Sequence, residues 1–118
     1  MIISSQRTKK AILIALADED MTKILNSVTA QSKSINSIIR EQNIPYTTTY
    51  RKVKWLLNQS LLVVDRYEIS PEGKKSSFVQ STLRSITVKY ENAGVIIIEA
   101  EENVYAIKKV MRKFFSME

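Results

Sequence analysis

Hydrophobic positions in the first half of the chain recur with the period of a helix, and those in the second half with the period of a strand. Ile12, Leu13 and Leu16 form the stripe of an amphipathic helix running from Ser5 to Ala17, with Ser5 placed to cap it. A second helix follows, its apolar face made by Met21, Ile24, Leu25 and Val28. Asp18, Glu19 and Asp20 stand at its start, where the helix dipole favours acids. A three-carboxylate magnesium site is the sharper reading of that cluster, but capping explains it without a ligand. A third, short helix is capped by Ser34 and lined by Ile35, Ile38 and Ile39. Asn43 suits the left-handed backbone at its end, and Pro45 suits the entrance to a fourth helix from Tyr46 to Gln59.

Beyond Gln59 the period changes to two. "LLVVDRYEI" reads as a strand, "SPEG" as a turn, and "KKSSFVQSTL" as the returning strand. "RSITVKY" alternates, with Ile86, Val88 and Tyr90 on one face. "ENAG" turns the chain into "VIIIEAE", a fourth strand. The apolar parity flips between Leu83 and Ile86, which predicts a bulge or a break, because a strict period of two cannot skip a residue. A final helix, capped by Asn103, carries Val104, Ile107, Met111 and Phe114 on one face, with Val110 at its edge.

The expected fold is therefore α+β: four N-terminal helices, a β-hairpin, a second hairpin and a C-terminal helix. Two short helices joined by a tight Asn-Ile-Pro connection and followed by a basic hairpin is the plan of a winged helix-turn-helix. On that plan residues 1–83 are a DNA-binding domain including the wing. Residues 84–118 add the second hairpin and the last helix, packed on the same domain as a dimerisation element.

Charge sharpens this reading. The chain of 118 residues carries a net charge of +6, and residues 46–90 hold eight basic against three acidic groups. Localised positive charge favours a polyanionic partner. Chemistry is constrained from the other side. There is no Cys and no His, which removes thiolate metal sites, the commonest metal ligand and the commonest general base. There is no phosphate-binding loop and no carboxylate pair in an apolar setting, so no enzyme and no cofactor are expected. Closely spaced strand aromatics of the kind that stack RNA bases are missing. No apolar stretch approaches a membrane span, and a cytoplasmic protein without membrane contact is the expectation.

Stepping about 100° per residue from Val53 puts Thr49, Leu56 and Leu57 on the buried side of the fourth helix. Thr47, Arg51, Lys54 and Asn58 fall opposite, with Tyr50 on the border and Thr48 near the outer edge. Tyr46 falls on the buried side and is expected in the core. Trp55 falls near Arg51 and is expected to pack against the hairpin or a partner subunit. The exposed set suits a major groove. Arg makes two hydrogen bonds to guanine, Thr bonds a base edge or packs its methyl on thymine, and Tyr and Lys reach phosphates. The DNA-facing residues expected are Thr47, Thr48, Tyr50, Arg51, Lys52 and Lys54. Arg66, Lys74, Lys75 and Ser76 on the hairpin would meet phosphates or enter the minor groove.

Residues 14–66 resemble the ArsR-like winged helix-turn-helix family of prokaryotic transcription regulators. "ALADEDMTKIL" is similar to the family's opening, and "SINSIIREQNIPYTTTYRKVKWLLNQSLL" to its positioning helix, turn and recognition helix. "YEISPEGKK" is similar, more loosely, to its wing. The order and spacing of the parts also suit small archaeal regulators of this type. The resemblance implies a sequence-specific regulator of transcription that binds double-stranded DNA as a homodimer. Two departures stand out. Metal-sensing members use Cys and His, which this chain lacks, and the usual Gly before the closing leucine pair is Ser60. The alternative function is a winged-helix module that binds a protein in transcription, replication or chromatin assembly.

Overall fold

A computed structural model of the chain describes residues 1–106 and 108. The fold is α+β, with the elements α1 (Gln6–Ala17), α2 (Glu19–Ser27), β1 (Lys33–Ser34), α3 (Ile35–Gln42), α4 (Tyr46–Asn58), β2 (Leu62–Ile69), β3 (Lys75–Ser81), β4 (Leu83–Glu91) and β5 (Val95–Glu102). Residues 104–106 and 108 are helical. Ile107, Val110, Met111 and Phe114, expected on the face of the last helix, lie outside the described residues; Val104 is exposed.

The helix starts follow from short oxygen-bearing side chains. The Oγ of Ser5 accepts the Thr8 N–H at 3.3 Å, Oδ1 of Asp18 accepts the Met21 N–H at 2.9 Å, and the Oγ of Ser34 accepts the Ser37 N–H at 3.1 Å. Asp18 is thus a cap, as the capping reading of the acidic cluster has it. α3 ends where Asn43 turns left-handed, at φ 53°. α4 ends in a Schellman motif: Ser60 takes φ 61°, its N–H bonds the Leu57 carbonyl, and the Leu61 N–H bonds that of Leu56, both at 3.0 Å. Leu61 and Leu56 are both buried beside that turn.

The four helices and the strands share one core. Ile12, Ile24, Ile38, Leu56, Leu62, Val79 and Ile98 are among its fully buried members. Each such side chain contributes on the order of 1.5–3 kcal/mol relative to exposure. The stripe of α1 differs from expectation. Leu16 is 42% exposed, and Ala11 and Ala15 flank Ile12 inside instead. Small residues let α1 approach the core closely, which turns Leu16 outward.

Two antiparallel sheets complete the fold, one in the order β1-β3-β2 and one pairing β4 with β5. The two-residue β1, which the apolar pattern does not announce, ties the start of α3 to β3 through Lys33 opposite Val79 and Ser34 opposite Phe78. The parity flip near Leu83 appears as a break at Thr82 and a register shift between Leu83 and Ser85. A second bulge lies between Val64 and Arg66, at the buried Asp65. The N-terminal residues run beside β5: the Ile3 N–H donates to the Ile98 carbonyl at 2.9 Å and the Ala100 N–H to that of Met1 at 2.8 Å.

Asn103 stands directly before the last helix, at the position the sequence predicts. It is buried, and its Nδ2 donates to the carbonyls of Thr29 at 2.9 Å and Ser81 at 3.0 Å. It clasps the end of β3 to the loop after α2. Among the described residues no helix is long and apolar enough to cross a membrane.

Candidate nucleic-acid interface

α4 is held to the core by one side and leaves another bare. Thr49, Val53 and Leu56 are buried, as the helical angles predict, and Trp55 is half-buried against the core. The sequence places Trp55 against the hairpin or a partner subunit; it packs instead on the domain's own core. Thr49 resolves its polarity within the first turn: its hydroxyl donates to the Pro45 carbonyl at 3.0 Å. A poor helix former is tolerated there because it is locked by packing and by that bond.

The bare side carries Tyr46, Thr47, Tyr50, Arg51 and Lys54, all exposed. From Tyr46 to Arg51 these positions cover about 140° of the helix circumference at 100° per residue. Thr48 is half-buried at the far edge. Tyr46 corrects the expectation that put it in the core. It is 61% exposed and lies against Tyr50, ring centroids 4.6 Å apart and planes tilted by 37°. Its angle about the axis is the buried one, but it occupies the first position of the helix, beyond the end of the core. Burial, and then the neighbouring Tyr46 hydroxyl, push the Tyr50 phenol above its ordinary value, so it stays protonated at neutral pH.

Lys52 departs from the expected DNA-facing set. Its position is about 100° from Val53 on the opposite flank, toward α2. Its Nζ lies 2.8 Å from each carboxylate oxygen of Asp18 and 3.2 Å from Asp20, and its side chain is 14% exposed. Hydrogen bonding to Asp18 is the chief influence and, against burial, raises Lys52 above its ordinary value. Burial alone would raise Asp18. The Lys52 hydrogen bond and the Met21 N–H together outweigh it and hold the carboxyl below its usual range.

Arg66 is likewise committed within the fold. Its Nε meets Glu68 at 2.8 Å, its Nη1 meets Asp65 at 3.0 Å and the Ser32 hydroxyl at 2.9 Å, and its guanidinium sits 4.1 Å over the Phe78 ring. The Glu68 bond, against burial and with help from Asp65, raises its pKa. Lys74 and Lys75 are exposed at the hairpin tip, and Ser76 beside them is half-buried. Lys75 lies 4.1 Å over the Tyr67 ring, a contact that steadies the side chain without neutralising it. Among the described residues, no ion pair engages Arg51, Lys54, Lys74 or Lys75.

Electrostatics thus divide the expected basic residues into two groups. Lys52 and Arg66 brace the scaffold; Arg51, Lys54, Lys74 and Lys75 make no ion pair among the described residues. Among the described residues no group of three or more acidic side chains is placed to hold a metal ion. Comparison with known proteins finds no matching family model, no matching curated protein and no matching solved structure. The resemblance to ArsR-like regulators is carried by the residue patterns alone.

Proposed function

We propose that the chain is a winged helix-turn-helix regulator of transcription that binds double-stranded DNA. On this reading α4 is the recognition helix, set in the major groove by α3 and the Asn43–Pro45 turn. The β2–β3 hairpin is the wing, reaching phosphates or the minor groove. The observation that supports the reading is the basic set that makes no ion pair among the described residues. Thr47 and Arg51 offer base-edge contacts on α4. Lys54, Lys74 and Lys75 offer charge to phosphates, with Ser76 as a neutral hydrogen-bonding group beside them. A homodimer belongs to the proposal, because a two-fold protein reads two half-sites.

The test is fluorescence anisotropy of the purified protein on random double-stranded DNA, titrated with salt. Binding that weakens steeply with salt is expected, with a slope of about 0.9 per phosphate neutralised. Absence of binding at low salt from a folded sample overturns the proposal. Tyr67 and Ile69, exposed on the hairpin, would then favour the interaction-module reading, a winged helix that binds protein.

A further inference from the structure

The tyrosine pair is the aromatic part of the exposed α4 surface, and charge does not account for it. Tyr46 and Tyr50 expose aromatic area on the helix that carries Arg51 and Lys54, one turn apart and in ring contact. Positions 46, 50 and 54 follow one another at the i, i+4 spacing along the helix surface, so the pair merges into the basic face rather than standing apart from it. Apolar area next to unpaired cations matches a partner that is anionic outside and offers apolar groups within. The major groove of a duplex meets both terms, because thymine presents its C5 methyl group there between two phosphate strands.

We infer that Tyr46 and Tyr50 are specificity-determining residues that pack on thymine methyl groups. This rests on the DNA-binding reading above and adds what that reading lacks, a preferred base. Arg51 on the adjoining strip reads guanine in the same register. The expected target therefore places thymines beside a guanine contact within each half-site. Packing of the ring, not hydrogen bonding by the phenol, carries the preference, since a methyl group offers no hydrogen-bonding atom.

Replacing dT by dU deletes the methyl and leaves base pairing intact. Duplexes selected for binding from a random pool would be remade with dU at each thymine in turn. Affinity would be measured for the wild type, Tyr46→Ala, Tyr50→Ala and Tyr46→Phe, each checked for folding by thermal melting. The expected result is about a fourfold loss for each methyl that becomes buried. The loss should be present in the wild type and in Tyr46→Phe, and absent from at least one alanine variant. If dU is tolerated at every position, or if the loss persists unchanged in both alanine variants, the tyrosine assignment fails while DNA binding stands. If a folded wild type binds no duplex at all, both readings fall together.

Discussion

Lys52 and Asp18 are joined at 2.8 Å through both carboxylate oxygens, across 34 residues of sequence. The contact pins the recognition-helix candidate to the N-terminus of α2. It also uses one oxygen twice, because Oδ1 of Asp18 accepts the Met21 N–H as well.

Two neighbouring cations should therefore behave in opposite ways. Lys52→Ala leaves a partly buried carboxylate pair without its partner and should cost about 1–2 kcal/mol of stability, between the values for exposed and buried pairs. Arg51→Ala should leave the denaturant midpoint nearly unchanged and lower the salt slope of DNA binding by about one. Urea unfolding and anisotropy on the same two variants check both halves. A change in stability for Arg51→Ala and none for Lys52→Ala would invert the assignment.

The same pair sets an acid limb. Asp18 has its folded pKa depressed below its ordinary value of 3.8, so its contribution is complete above that value and is lost as the pH falls through the folded pKa. Stability should decline more steeply below pH 3.8 in the wild type than in Asp18→Asn. Asn keeps the helix cap but removes the titrating charge, and with it the ion pair to Lys52. Denaturant melts from pH 2 to 7, a range of about five units around that value, provide the comparison.

Ser60 holds a left-handed conformation, φ 61°, that costs an L-residue energy. Ser60→Gly should stabilise the protein by about 1 kcal/mol. The Schellman hydrogen bonds of Ser60 and Leu61 are made by backbone atoms and survive the change. A fall in thermal midpoint would mean that the serine side chain does something beyond occupying the turn.

Asn103 satisfies two carbonyls, those of Thr29 and Ser81, from a buried position. Asn103→Leu removes a hydrogen bond from each, leaving the Thr29 carbonyl only the 3.5 Å bond from Gln80, and should cost about 2–3 kcal/mol, read as a lower urea midpoint. Because the clasp joins β3 to the loop after α2, hydrogen exchange should speed up in both segments together.

Much of this architecture was legible in residue order. Ser5, Asp18 and Ser34 cap where their side-chain chemistry says they should, and Asn43 takes the left-handed turn. The parity flip after Leu83 marks a true irregularity. What escaped has physical causes that residue order alone does not carry. A helical angle gives direction about an axis but not height along it, so Tyr46 was placed in a core that ends before its position is reached. Ala11 and Ala15 outcompeted Leu16 because close approach, not hydrophobicity, decided the α1 face. The pairings of Lys52 with Asp18, and of Asn103 with Thr29, join residues far apart in sequence, and no local pattern encodes them. The two residues of β1 are too few for any periodicity to show. The exposed face of α4 was legible in part: Thr47, Tyr50, Arg51 and Lys54 lie together on it, while Lys52 does not.

The bulge at Asp65 has a mechanical consequence for the hairpin. Beyond it β2 runs four more residues to Ile69, about 13 Å at 3.3 Å per residue, before the chain turns toward Lys74 and Lys75. A bulge bends and twists the strand that carries it. Asp65 accepts the Ser32 hydroxyl at 2.7 Å, so the pivot is anchored in the segment that leads into α3. The hairpin is a lever whose fulcrum is tied to the helix pair. Its two lysines are carried by a bend set away from the tip, among the hydrogen bonds that join Ser32, Asp65 and Arg66.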